Sequence, residues 1–165
     1  MTLRPLVQSD AARIADLCND FAVSQWLSHV PHPYHISDAE GFLAKLETSG
    51  HEARAIVPAG SSTLAGIVGL DKQSDGLHLG YWLGRAFWGR GWMTHATRLT
   101  VDAVFETGVE RLVSGAFEGN GASLAIQRKL GFRVIGDGSL YCEAMGQARR
   151  HIDTQLDRAD WEALR

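Results

Sequence analysis

Along the first fifty residues apolar positions recur at helical spacing; from Ala53 the pattern shortens to that of strands. An extended start over 2–7 leads to Ser9-Asp10, which cap a helix with the apolar face Ala11, Ile14, Ala15, Leu17 and Cys18, ending near Asn19. Prolines at 31 and 33 limit residues 21–36 to a surface loop holding at most a short helical turn. Ser37 and Glu40 have the spacing of a capping box, and Phe42, Leu43 and Leu46 continue a second helix that ends by Gly50. Residues 53–57, 64–70 and 77–83 read as three antiparallel strands, reversed at Pro58-Ala59-Gly60 and Ser74-Asp75-Gly76. A helix follows over 93–107, with Ala96, Leu99, Ala103 and Val104 inward and Gly108 placed to end it. Residues 111–117 form a strand, and 123–130 a short helix stopped by Gly131 and covered by Phe132. Extended segments at 132–136, 140–145 and 149–156 complete the chain, the last two as a hairpin across Gly146-Gln147-Ala148, before a polar tail carrying Trp161 and Leu164. This order predicts one α/β (α+β) domain over residues 1–165 with a mixed sheet.

Composition narrows the function classes. The chain has 165 residues, 45% of them hydrophobic and 21% charged, enough for one core. A net charge of −3 removes the bulk attraction that drives non-specific nucleic-acid binding, and Arg85, Arg90, Arg98, Arg128 and Lys129 carry no base-reading motif, so no nucleic-acid partner is expected. No apolar run approaches the roughly 18 residues of a membrane span, and no basic-then-apolar leader precedes Arg4 and Asp10. The expected location is cytoplasmic, with no membrane partner. Cys18 and Cys142 read as small buried hydrophobes. The five tryptophans leave a homodimer contact open.

The richest stretch is Gly80 to Thr94, a strand that runs through glycines into a helix. Gly89 and Gly91 permit backbone angles closed to other residues, and the first amides of the helix, with its positive dipole end, suit a phosphate or pyrophosphate. Arg85 and Arg90 add charge there. Taken alone, a Gly-x-Gly is better accounted for by a tight strand-to-helix connection with no ligand than by phosphate binding. A Walker loop is excluded because Trp92-Met93 follows Gly91, and a dinucleotide fingerprint because Thr94 stands at the third glycine position.

Tyr81-Trp82-Leu83-Gly84, Trp88-Gly89-Arg90-Gly91-Trp92-Met93-Thr94, Asn120-Gly121-Ala122-Ser123 and Lys129-Leu130-Gly131-Phe132, in that order, resemble the GCN5-related N-acetyltransferases (GNAT). Within them the match is to the RimJ/RimL-like branch of ribosomal-protein N-terminal acetyltransferases, and the segment Val30-Pro31-His32-Pro33-Tyr34 extends it upstream. The resemblance implies a mostly antiparallel sheet splayed in the middle, flanked by about four helices, that binds acetyl-CoA as co-substrate without a metal. Trp82, Leu83 and Gly84 would bond the pantetheine arm, with Leu83 and Gly84 also donating to the thioester carbonyl. The amides of Gly89, Arg90, Gly91, Trp92, Met93 and Thr94 would hold the pyrophosphate. Asn120 and Ser123 would contact pantetheine near the sulfur, although Asn120 also fits a plain helix cap. The acceptor would be an amine, either a protein N-terminus or a small molecule.

The chain departs from the family where chemistry is expected. Gln127 stands in place of a tyrosine that many members use as general acid, which leaves Ser123 as candidate acid or simply as a cap. His78 replaces the branch's glutamate at the start of the Gly-Tyr-Trp strand; it could take a proton if its ring faces the acceptor cleft, or be a half-exposed strand histidine. His95 replaces a second glutamate and is expected to be structural. His29, His32 and His35 invite a metal reading that Pro31 and Pro33 oppose; Trp26, Tyr34 and His35 fit better as lining of the acceptor entrance. These departures keep a non-catalytic acyl-CoA-binding sensor as the alternative to an acetyltransferase.

Overall fold

Period-two alternation in the central strands sends successive residues into two different cores. Ala55 and Val57 face one side of the sheet while Ile56 faces the other, and Ile67 and Val68 separate in the same way. A sheet buried on both faces explains why these strands read as nearly continuous apolar runs. In the computed structural model, which describes residues 1–164, the strands are β1 (Thr2–Pro5), β2 (Glu52–Val57), β3 (Gly66–Gln73), β4 (Gly76–Leu83), β5 (Arg111–Phe117), β6 (Arg133–Cys142) and β7 (Gln147–Asp157). They form one open sheet in the order β1-β2-β3-β4-β5-β7-β6, in which β4–β5 is parallel and the other neighbours are antiparallel. The helices are α1 (Ala11–Cys18), α2 (Phe21–Ser24), α3 (Ile36–Ser49), α4 (Trp92–Glu106), α5 (Gly121–Lys129) and α6 (Arg158–Ala163). One core joins α1 and α3 to the sheet through Ile14, Cys18, Leu43 and Ile67, and the other joins α4 and α6 through Met93, Val101, Phe105 and Trp161.

Several boundaries depart from the sequence pattern for definable reasons. α3 begins two residues early: His35 is its N-cap and donates its backbone N–H to Asp38 at 2.8 Å, so the Ser37–Glu40 box is not the cap. In α4, Leu99 and Ala103 are exposed while Thr97 is fully buried. The Thr97 hydroxyl donates to the carbonyl of Met93 at 2.8 Å, which satisfies it locally and lets it serve as an inward residue. The two expected segments at 132–136 and 140–145 are joined in β6, an edge strand with a bulge between Val134 and Gly136; exposed on its outer side, it tolerates the polar Gly136–Ser139 stretch that reads as a turn. Its hairpin to β7 turns at Glu143–Gly146, a few residues before the expected position. The tail is helical, with Trp161 only 3% exposed. Gly131 does stop α5, at φ +90°, and the Phe132 N–H reaches back to the Gln127 carbonyl at 3.0 Å.

The start of the chain is fastened by a buried carboxylate. Asp10 accepts two bonds from Arg4, at 2.7 and 2.8 Å, and one from the Val7 amide at 3.0 Å. Burial alone would raise its pKa, but the Arg4 hydrogen bond, the Val7 amide and the Arg4 charge together hold it below the ordinary carboxylate value. The resulting stabilisation is complete above that ordinary value, near pH 4, and is lost as pH falls through the lowered one. Asp10→Ala is expected to cost about 1–3 kcal/mol in urea unfolding at pH 7, because Arg4 is part-exposed and recovers water. The difference from wild type should shrink below pH 4.

Candidate functional site at the β4–β5 split

Ladder pairing between β4 and β5 covers only Leu77 with Leu112 and His78 with Val113. Beyond it, side chains replace ladder partners. Ser114 Oγ donates to the carbonyl of Leu79 at 2.9 Å, and Gln127 Nε2 donates to the carbonyl of Gly115 at 2.9 Å. Gln127 is 1% exposed and its Oε1 accepts from Thr154 Oγ1 at 2.8 Å, so the amide is fixed at both ends. With edge groups on both strands satisfied in this way, the strands diverge without unpaired buried polar atoms at these points. Gly80 and Gly115 are the next residues in register across the opening. Since the Leu79 carbonyl points toward β5, strand alternation directs the N–H groups of Tyr81 and Leu83 into the split as well.

Gly84 is directed the other way. Its N–H donates to the carbonyl of Ala65 at 2.9 Å, so it is not a free donor for a thioester carbonyl. The Leu83 carbonyl accepts from Trp88 Nε1 at 2.8 Å, which anchors the turn that follows. That turn passes through Gly89 and Gly91, at φ +73° and +71°, the left-handed region that the sequence reserves for glycine. Gly91 is the N-cap of α4 and no side chain caps the helix, so the amides of Trp92, Met93 and Thr94 face outward. A β-carbon at either glycine would meet nothing within 4 Å, so the surface beside both glycines is open. The Arg90 guanidinium lies 5.4 Å from the Trp92 ring and 5.9 Å from that of Phe87, two rings stacked 5.7 Å apart. Arg85 is mostly exposed and 4.0 Å from Asp20.

On the α5 side of the split, Asn120 Oδ1 accepts from the Ser123 amide at 3.2 Å and caps the helix. Ser123 Oγ is 3.0 Å from the Tyr81 hydroxyl, and Gln127 Nε2 donates to both, at 3.3 Å. Burial raises the Tyr81 pKa against the opposing pull of Ser123 and Gln127, which keeps the phenol protonated at neutral pH. Tyr81 thus joins the hydroxyl cluster, a role its motif did not reveal; the available signal is its register with Leu79 and Leu83.

His78 is not brought to this cluster. It sits at the closed end of the split, about 17 Å along the strand from Leu83, with its imidazole 2.7 Å from Asp75 in the preceding turn. His95 is exposed in the first turn of α4. The three loop histidines have separate surroundings: His29 lies 4.0 Å from Glu143, His32 is edge-on to Phe21, and His35 caps α3. Among the described residues no three His, Cys, Asp or Glu are grouped to hold a metal, and no helix is long and apolar enough to cross a membrane. Tyr34 is buried between α1 and α3 and so is not at an entrance. Trp26 has the Arg149 guanidinium 5.0 Å from its ring and Gly119 beside it. Both cysteines are free and buried, and burial pushes the Cys18 thiol up to about 12.

On the opposite face from α5, the His151 ring of β7 stands against Gly115, edge-on to Phe117 at 5.6 Å, with Nδ1 2.8 Å from Asp153 Oδ1. The sequence reading passed over this pair; its signal is the His-x-Asp spacing, which puts both side chains on one face of a strand.

A seven-stranded mixed sheet divided between its only parallel pair, with donors lining the split, has the architecture of the coenzyme A-dependent acetyltransferases. The Acetyltransferase (GNAT) domain family matches residues 1–133, and the chain belongs to that family: it is an acetyltransferase with acetyl-CoA as donor. YdaF of Bacillus subtilis (strain 168), inferred to be a ribosomal N-acetyltransferase, is 25% identical over 98% of this chain and 93% of its own length. The ribosomal-protein-S5-alanine acetyltransferase of Vibrio fischeri superposes with a TM-score of 0.78 at 22% identity, covering 96% of this chain and 93% of that one. YncA of Salmonella typhimurium, solved with acetyl-CoA, gives 0.75 at 18% identity, covering 95% and 93%. The RimJ/RimL-like character read from the motifs agrees with these relatives.

Proposed function

We propose that this chain, as one domain over residues 1–165, transfers the acetyl group of acetyl-CoA directly to a primary amine, and that the acceptor is the N-terminal α-amine of a cytoplasmic protein. Arg165 lies outside the described residues. The observation that carries the reading is the side-chain-held split, which leaves the N–H groups of Tyr81 and Leu83 unladdered just before the uncapped start of α4. The pantetheine arm adds to β4 along Tyr81–Leu83, and the amides from Gly89 to Thr94, with Arg90 beside them, take the pyrophosphate. Asn120 and Ser123 meet the arm near its sulfur. One β4 N–H stabilises the carbonyl oxygen as charge builds on it, a donor type worth about 2.7–4 kcal/mol in a preorganised site.

An α-amine, with a pKa of about 7.7–8.0, is substantially neutral near pH 7, whereas a lysine at about 10.4 is not. The amine lone pair attacks the carbonyl carbon and the carbon–sulfur bond breaks. Ser123, hydrogen-bonded to the protonated Tyr81, supplies a proton to the departing thiolate. Gln127 cannot do so; its amide holds Gly115, Tyr81 and Ser123 in place. The names of YdaF and the Vibrio protein support a ribosomal protein as acceptor. Calorimetry with acetyl-CoA, followed by a panel of acceptor peptides and small amines, tests the reading. Acetylation of peptide α-amines is expected; tight CoA binding with no transfer to any acceptor would favour a sensor instead.

A further inference from the structure

We propose that His151, oriented by Asp153, is the general base that removes the proton from the acceptor amine; the assignment rests on the acetyl-transfer reading above. Its position is the first argument. The ring covers Gly115, which is level with Gly80 across the opening where β4 and β5 part; a β-carbon at Gly115 would collide with His151 Cε1 and with the Ile152 carbonyl. Gly80 has nothing within 4 Å of its β-carbon position, so the sheet face beside it is open.

Orientation is the second. The Asp153 carboxylate accepts the Nδ1 proton at 2.8 Å, which leaves the lone pair on Nε2. Phe117 against the ring edge and Gly115 beneath it restrict rotation. The side chain is 21% exposed, so a proton taken up can pass to water.

The third is sidedness. Thr154 faces α5 through Gln127, so its neighbours His151 and Asp153, alternating along β7, face the other side of the sheet. The Tyr81–Ser123 hydroxyls are on the α5 side. Base and acid therefore flank the thioester from opposite faces. As the amine attacks, the nitrogen–hydrogen pair remains on nitrogen and its proton moves to Nε2. The carbon–sulfur pair leaves on sulfur, which takes the Ser123 hydroxyl proton; the imidazolium releases its proton to water and water returns one to Ser123, so the net transfer is from amine to thiol. Trp26, Phe117 and Arg149 border the same face, where the Arg149 guanidinium lies 4.8 Å from the Phe117 ring.

His151→Gln keeps a polar side chain of similar size without the base. It should lower kcat about a hundredfold or more while leaving CoA affinity and acceptor KM within about twofold. His151→Ala should regain part of that loss when free imidazole is added, and Asp153→Asn should give a smaller kcat decrease. Unchanged kcat in His151→Gln overturns the assignment. So does parallel loss of kcat, CoA binding and folding in both His151 variants, which marks the ring as packing only. A wild-type protein that binds CoA yet acetylates nothing overturns the proposed function, and this base with it; an active wild type with an equally active His151→Gln overturns the base alone.

Discussion

Gly91→Glu is expected to reduce CoA affinity by roughly a thousandfold while the chain stays folded. Loss of a helix-terminus interaction accounts for up to about 2 kcal/mol, and a carboxylate set against a phosphate adds a like-charge penalty of several kcal/mol. Each 1.4 kcal/mol is about tenfold, so the two together exceed three decades. There is no steric term inside the fold, since a β-carbon at position 91 points into open space. Backbone strain is separate: Gly91 lies at φ +71°, where an L-residue costs about 1–2 kcal/mol. Gly91→Ala carries that strain without the charge, so it should lower the melting temperature as Gly91→Glu does but keep most of the affinity. Calorimetry on both variants separates the effects. Equal CoA binding by wild type and Gly91→Glu would remove the pyrophosphate from this turn.

Trp161→Ala is expected to destabilise the fold by about 3–5 kcal/mol. The indole is 3% exposed, packs with Phe105, Leu130 and Leu156 in the α4-side core, and donates Nε1–H to Asp102 at 3.1 Å. Arg98 covers its outer face at 5.7 Å. At about 2–4 °C per kcal/mol for a chain of this size, the melting temperature should fall by roughly 10 °C. Trp161→Phe, which retains most of the ring but not the N–H, should cost only about 1 kcal/mol more than the wild type. A melting temperature unchanged in Trp161→Ala would mean that α6 does not close this core.

Local order was largely legible. The three central strands, α4, β5 and the glycine stop of α5 follow from apolar periodicity and glycine chemistry, both of which act over a few residues. Errors arose where a neighbour satisfies a group that looks unsuited in isolation. Thr97 turns inward because a carbonyl four residues back takes its hydroxyl; Gly136–Ser139 continues a strand because β7 supplies its partners; Trp161 is buried because Asp102 and Arg98 meet it. The motifs located the cofactor turn at Gly89–Thr94, and the resemblance they carry supplied the family.

The chemical groups divide in the same way. The sequence by itself determined that glycines would open α4 and that Asn120 and Ser123 would start α5, because turn and cap requirements are local. Only the tertiary structure decided which strand faces which. It turned the Gly84 N–H toward Ala65 and away from the split, tied His78 to Asp75, and joined Tyr81 to Ser123 and Gln127. It also set His151 over Gly115, 36 positions earlier in the chain, through the antiparallel register of β5 and β7. A one-residue slip in that register would send His151 and Asp153 to the opposite face, and register is fixed by packing across the whole sheet, which no local pattern contains.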